Sequence, residues 1–558
     1  MKKKIRVGLL VDDLKASAWV HRMLERITES HYASIELVVM NGFKPRTNNS
    51  IVTKIKNNWG GITSTLIWKL LVLAQNKLID RAECKPDAFE PKDLKHLLTG
   101  VPTMEVMPIR TKFSDHFRAE DVENIKRHEI DVLLRLGFRI LRGEVLNSSK
   151  YGVWSYHHGD NAVNRGGPGG FWEAMESWPE TGSILQILGE DLDNGKVLCR
   201  SYACTYDLSV SFNRNGYFWK SLSFVPRKLK ELYDTGGEAF LARVESENAH
   251  PVFYSNRLYT HPTNSEYAQL VLRAVLKKIR NYYFSTFHFD QWFLMFDLSR
   301  DFSGSLWRFK KILPPKDRFW ADPHVLCRDG KYFIYIEEFP YTRQKGHISL
   351  IVMNEKGEYS PPFPVLEKPY HLSYPFVFEW EDEVYMIPEA SENRTVELYK
   401  CVKFPDTWEF QMNLMEDVVA IDTTLFRSGG KWWLFTNIVE NKGASSWDEL
   451  FLFHSDTLYS ADWIPHPLNP IVSDVKSARP AGKIFRKDGK IYRPSQNCSW
   501  HYGFGFNLCE ITTLNEKEYR EEVVASVKPN WDKNVISTHH FCREGNLTVI
   551  DGQIRRRK

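Results

Sequence analysis

The chain has no cysteine pair spaced C-x-x-C, no G-x-G-x-x-G fingerprint and no apolar run long enough to cross a bilayer. Each absence removes a class of function. The 8 cysteines are scattered without metal-ligand clustering, so neither a zinc site nor a disulfide scaffold is expected, and a reduced setting is the simpler reading. Without the glycine fingerprint, a nicotinamide cofactor has no support. The net charge is only +4 over 558 residues, which argues against a nucleic-acid partner held by phosphate neutralisation. The basic ends, Lys2 to Lys4 and Arg555 to Lys558, read as solvated tails. Lys2 to Lys4 lead into Ile5–Val11, too short and interrupted to export or span, and the run Ile67 to Leu73 is broken by Lys69 and reads as a helix face. A cytoplasmic protein without a membrane span is expected.

What is present is a globular composition, 42% hydrophobic and 26% charged, in a chain too long for one core, so two or three domains are expected. Ile5–Val11, 35–40 and 130–136 are near-continuous apolar segments. Between the first two, Trp19, Met23, Leu24 and Ile27 recur at helical spacing. Strands of that kind alternating with helices predict a doubly wound parallel sheet, in which ligands sit at the carboxyl ends of strands. Residues 44–95 read as an insertion.

The strand-like 152–156 segment delivers a histidine to such a strand end, and the stretch that follows contains Arg165-Gly166-Gly167-Pro168, Thr181-Gly182 and Leu192-Asp193-Asn194-Gly195. This order resembles the formyltransferase family, whose pattern is Asn-x-His, Arg-Gly…Pro, Thr-Gly and Leu-Asp-x-Gly. The resemblance covers residues 1–205 and is strongest over 131–198. It implies a formyltransferase-like fold, 10-formyltetrahydrofolate as cofactor, His157 and Asp193 as the catalytic pair, and Arg165, Gly166 and Thr181 in substrate binding. Ser155 stands where the family has its asparagine, so the oxyanion donor would be a hydroxyl. A register shifted by one places Tyr156 and His158 in the two roles.

Residues 206–288 read as a bridging helical region, with helix candidates at 236–245 and 265–282. In the second, Ala268, Val271, Val275 and Ile279 form an apolar stripe near Lys277, Lys278 and Arg280. That stripe is expected to pack on a domain, with a membrane surface as the alternative.

From residue 289 to 558 the texture changes to short strands and tight turns. Five segments share a template starting at Pro323, Pro375, Thr423, Gly482 and Thr538. Their turns are Asp329-Gly330, Glu381-Asp382, Gly429-Gly430, Asp488-Gly489 and Glu544-Gly545. A recurrence near 50 residues predicts a five-bladed β-propeller. Asp322, Tyr374, Asp422, Ala481 and Ser537 precede the starts, and Glu337, Glu389, Asn437, Gln496 and Gly552 follow at a fixed interval. Equivalent positions face one way, so Asp322, Glu337, Glu389, Asp422, Arg479, Gln496 and His540 are the expected channel residues, a polar ring suited to a sugar. No metal is expected. Motifs such as Trp320-Ala321-Asp322-Pro323, Asp422-Thr423-Thr424 and Ser477-Ala478-Arg479-Pro480 resemble the N-terminal domain of glucosamine inositolphosphorylceramide transferases, a domain similar to furanosidase propellers.

Taken together, the expected function is transfer of a formyl group from 10-formyltetrahydrofolate to a nucleotide-linked amino sugar in surface-glycan synthesis. The alternative is a glycan-binding or glycan-cleaving propeller carrying an inactive formyltransferase-like module.

Overall fold

A computed structural model describes residues 2–43, 86–250, 252–300 and 304–558. Most of the 44–95 insertion lies outside them. The chain divides into two units.

The first unit, Met1–Ser201 with Thr205–Lys277 and Asn441–Ala444, is built on a seven-stranded sheet. Ile5–Val11, an inner strand of that sheet, is buried almost throughout, as an apolar strand covered on both faces is. Ile5–Val11 pairs in parallel with Ala33–Asn41 on one edge and with Val132–Arg135 on the other. Val153–His157 continues in parallel beyond Val132–Arg135, and Glu180–Ile187 then joins antiparallel. The helix Ala18–Thr28 buries Trp19, Met23, Leu24 and Ile27, the residues that the periodicity singles out. Each such burial is worth roughly 1.5–3 kcal/mol before chain entropy is counted.

Because the chain leaves Ile5–Val11 toward one edge and later returns on the other, the sheet has a topological switch point between Ile5–Val11 and Val132–Arg135. A cavity of about 480 Å³ opens there. Gly137 makes the close approach of the two strand ends possible, since a Cβ on it would lie 2.4 Å from the Asp12 nitrogen.

The second unit, Tyr202–Cys204 with Lys278–Glu440 and Ser445–Lys558, is all β. Four successive four-stranded antiparallel sheets begin with Arg318–Arg328, Ser373–Trp380, Ala420–Ser428 and Phe485–Lys487. A fifth is assembled from both ends of the unit. His288–Leu298 pairs along its whole length with Leu547–Arg557, which ties the ring of sheets shut. The arrangement is propeller-like.

The five turns join neighbouring strands within their sheets, and the backbone explains their composition. Asp329, Gly330, Glu381, Asp382, Gly429, Gly430, Asp488 and Gly489 all have positive φ, as two-residue turns matching the strand twist require. A second recurring device sits on the first strands. Pairing slips between Ala321 and His324, between Ser373 and Phe376, and between Ile421 and Thr424. Each slip holds one non-glycine residue in the left-handed region, Asp322 (φ 52), Tyr374 (φ 41) and Asp422 (φ 51). Such bulges re-aim side chains, and residues held there against their preference mark places where the fold imposes a geometry.

Candidate functional site

Of the bulged residues, Asp322 lines a cavity of about 250 Å³ in the second unit. Its wall combines Asp322, Glu337, Glu389 and Arg479 with the rings of Trp292, Phe319, Phe339 and Tyr502. His371, Ser373 and His539 complete the polar lining.

Two charge clusters stand behind this wall. In the first, Arg479 places Nε 2.6 Å and Nη2 3.3 Å from the two carboxylate oxygens of Asp422, and Gln496 Nε2 donates to the same group at 2.9 Å. Burial together with the Glu389 and Asp322 carboxylates presses the Asp422 carboxyl upward, whereas Arg479 draws it down. Three donors on one carboxylate decide the matter, and Asp422 is the anion of a buried pair. Burial also disfavours the Arg479 charge, but Asp422 outweighs it and holds the guanidinium well above its ordinary value. Glu389 lies 3.8 Å from Arg479, accepts from the Asp422 backbone N–H at 3.3 Å and is fixed by Ser391 Oγ at 2.7 Å.

The second cluster is centred on His539. Its Nε2 is 3.2 Å from Asp322 and its Nδ1 2.7 Å from Asp551. Burial works against a charged ring, yet the carboxylates of Asp551 and Asp322 push His539 up to about 10. Asp322 correspondingly stays well below the usual carboxylate range, because contacts with His539 and His540 overcome its burial. Asp322, His539 and Asp551 lie close enough to ligate a cation. Each nitrogen of the His539 ring faces a carboxylate, and with a proton on both nitrogens the arrangement is a carboxylate–imidazolium–carboxylate chain. Glu337 is the counterpoint. Burial, followed by the Asp322 and Glu389 carboxylates, raises it well above its ordinary value. Within the cavity the surroundings thus favour the charged form of Asp322 and the neutral form of Glu337.

Four of the seven expected channel residues, Asp322, Glu337, Glu389 and Arg479, line the cavity, while Asp422, Gln496 and His540 are buried behind it. The repeat pattern missed His539 and Asp551. In the fifth unit the acid sits one position before the glycine that occupies the Glu337-equivalent place, so template alignment passes it by.

In the first unit the structure brings His157 and Asp193 to 3.4 Å, Nδ1 to Oδ1. Asp193 also accepts from the Gly166 N–H at 3.0 Å, and Arg165 holds Asn194. The other nitrogen of His157, Nε2, lies 2.7 Å from the Asn164 carbonyl oxygen. Both ring nitrogens are thus engaged by protein, and neither His157 nor Asp193 is in the lining of the switch-point cavity. That lining takes Asp12, Trp19, Arg135, Ser155, Tyr156 and His158 instead. Ser155 Oγ is occupied by Arg135 at 3.1 Å, and Thr181 is fully buried against Thr205 and Asn213. His158 is held neutral by burial, then by Arg214 and His157, and stacks on Phe218 at 3.7 Å between centroids. Burial likewise raises the Tyr156 hydroxyl above its ordinary range. These contacts leave no ring nitrogen of His157 turned toward a 10-formyltetrahydrofolate.

Comparison with known proteins places the likeness elsewhere. Residues 313–549 match the family model described as glucosamine inositolphosphorylceramide transferase 1, N-terminal. Curated relatives carry the same name. The protein of Oryza sativa subsp. japonica is 34% identical over 206 residues, 36% of this chain and 27% of its own length. That of Arabidopsis thaliana is 31% identical over 231 residues, 40% and 30% of the two chains. The chain thus spans under a third of the relatives it matches. Among solved structures, a family 117 glycoside hydrolase of Zobellia galactanivorans has a TM-score of 0.32 at 11% identity, covering 48% of this chain and 90% of that one. The catalytic domain of a Coprinopsis cinerea GH62 α-L-arabinofuranosidase scores 0.33 at 11% identity, over 46% and 94%. The expected formyl transfer is overturned, because the named relatives are glucosamine inositolphosphorylceramide transferases and nothing supports a formyltransferase module. What stands is an α/β unit joined to an all-β, propeller-like unit whose residues 313–549 resemble the N-terminal part of those transferases.

Proposed function

We propose that the all-β unit binds one sugar unit of a glycoconjugate in the cavity walled by Asp322, Glu337, Glu389 and Arg479. The observation that carries the reading is the lining itself: charged acceptors and a guanidinium beside four aromatic rings, around about 250 Å³. That space is below the range of drug-sized ligands and suits a single pyranose or furanose. Flat rings cover the apolar C–H faces of a sugar, and charge-assisted hydrogen bonds fix its hydroxyls. The name of the relatives, which joins glucosamine to a transferase, supports a sugar ligand.

Isothermal titration of the full chain with glucosamine, N-acetylglucosamine, galactose and arabinose tests it. Saturable binding of at least one sugar is expected, weakened about 10-fold or more in Glu389→Gln and in Trp292→Ala, the loss typical of a buried charged contact. Absence of binding to every sugar, or binding that both variants leave unchanged, overturns the proposal.

A second reading, chemistry at the glycosidic bond of that sugar, rests on the opposed states of Asp322 and Glu337. Two carboxyl groups whose environments hold one charged and the other protonated are suited to base and acid roles. Under this reading Glu337→Gln abolishes turnover of a glycoside while retaining sugar affinity. Turnover that survives the substitution excludes Glu337 as the acid.

A further inference from the structure

The switch-point cavity of about 480 Å³ is lined entirely by residues of the α/β unit, at the strand ends where sheets of this class take their ligands. Arg135, the last residue of the strand Val132–Arg135, sets its chemistry. Its Nε donates to the Arg139 carbonyl at 3.0 Å, its Nη2 to the Phe138 carbonyl at 3.2 Å and its Nη1 to Ser155 Oγ at 3.1 Å. All three acceptors are neutral. Phe138 is held in the left-handed region, φ 62, with its N–H on Asp12 Oδ1 at 2.8 Å, so the loop 136–139 curls around the guanidinium under backbone strain.

The buried arginines of the all-β unit are paired, Arg479 with Asp422 and Arg493 with Glu521. Arg135 is in ion-pair contact with no carboxylate among the described residues. Burial lowers it from its ordinary value, and the more distant Asp193, Asp12 and Asp115 carboxylates offset that only in part. A desolvated guanidinium of this kind calls for an anion. Of its five N–H donors three are committed, which leaves one on each terminal nitrogen, a fork suited to two oxygens of a carboxylate or phosphate.

The rest of the lining agrees. Lys15 adds a second cation, with no ion pair among the described residues. The helix Ala18–Thr28 begins at the cavity with Ser17 as its N-cap, whose side chain makes no cap bond, and its first turn holds no acid. Opposite in character is an aromatic cluster. Phe218 stacks on His158 at 3.7 Å and meets Phe89 at 4.7 Å and Trp19 at 5.4 Å between centroids. His158 Nδ1 is buried without a hydrogen-bond partner. Asp12 and Asp13 supply acceptors for donors on a ligand.

We propose that this cavity is a second binding site, separate from the sugar cavity, for a small organic anion that carries a flat ring and hydrogen-bond donors. A nucleoside monophosphate and an aromatic amino acid share that chemistry, the anion being a phosphate in one and a carboxylate in the other.

Isothermal titration of the full chain with AMP, UMP and tryptophan tests the proposal, with uridine and inorganic phosphate as half-ligands. Saturable binding is expected for a nucleotide if the anion is a phosphate, or for tryptophan if it is a carboxylate. Uridine and phosphate each bind at least about 10-fold more weakly than the complete ligand, since each lacks one of the two recognised parts. Arg135→Gln weakens binding on the order of 10- to 100-fold, the loss typical of a charged hydrogen bond, and Phe89→Ala about 5-fold or more through lost stacking. Because Arg135 also holds its own loop, Phe89→Ala decides the matter if Arg135→Gln melts below the parent. The proposal is overturned if AMP, UMP and tryptophan all fail to bind, or if uridine or phosphate alone binds as tightly as the complete ligand. Unchanged binding in both variants overturns it as well.

Discussion

The Arg479–Asp422 pair is the most exacting point at which to perturb the all-β unit. The side chains are 10% and 1% exposed, separated by 2.6 Å at the shorter contact, and Gln496 supplies a further donor. Removing one partner strands the other charge in a desolvated place, which typically costs about 3–5 kcal/mol. Arg479→Met leaves Asp422 with only the Gln496 amide, and Asp422→Leu leaves a guanidinium whose nearest remaining acid is Glu389 at 3.8 Å. Each single variant is therefore expected to lose about 3–5 kcal/mol. A domain of this size shifts by about 2–4 °C per kcal/mol, so the melting temperature of the all-β unit falls by roughly 6–20 °C. The double variant, which replaces both charges by apolar groups, is expected to recover most of that loss, because neither charge then remains buried alone. Differential scanning calorimetry of the four proteins gives the coupling directly. Single variants that melt within a degree or two of the parent, or losses that simply add in the double variant, would refute the buried-pair account.

Other consequences concern the same unit. His539 is held at about 10, above its ordinary 6.5, so its contribution to stability is fully present below pH 6.5 and is lost as pH rises toward 10. Melting temperatures recorded across that window should fall more steeply for the parent than for His539→Gln, and parallel curves would contradict the imidazolium assignment. Gly482 has φ +131, and a Cβ there would lie 2.0 Å from the Phe541 carbonyl oxygen. Gly482→Ala is therefore expected to destabilise the all-β unit by at least ~1–3 kcal/mol, and a neutral result in denaturant unfolding would mean the two segments are not so closely apposed.

Legibility in the sequence followed the range of the forces. Ile5–Val11 was readable because a strand buried on both faces must be apolar at nearly every position, and the paired turns because positive φ restricts them to glycine, aspartate and a few others. The long helix was readable as a helix but not as an orientation. The stripe Ala268, Val271, Val275 and Ile279 was expected to pack, yet Val275 and Ile279 face outward while Tyr267, Leu270 and Ala274 take the buried side. Two apolar stripes that share Val271 are indistinguishable by periodicity, since the difference lies in what the remainder of the fold presents. The channel positions show the same limit. Alternation along a strand predicts which residues share a face, but the bulges at Asp322 and Asp422 reset that alternation, so the division between wall and support appears only in three dimensions. His157 and Asp193 do approach each other, but the engagement of Nε2 by Asn164 depends on the path of residues 158–166, which no motif spacing encodes. The function inferred from that motif was wrong, because likeness of local order in the first unit carried a reaction that the matched relatives do not share.

The central claim, that the cavity between Trp292 and Arg479 receives a sugar, is tested most directly by a crystal structure of the full chain with the tightest-binding sugar of the panel. The account predicts one sugar ring against Trp292 or Phe339, with hydroxyls within hydrogen-bond distance of Asp322 and Glu389. A sugar bound elsewhere, with this cavity filled only by water at saturating ligand, would contradict it.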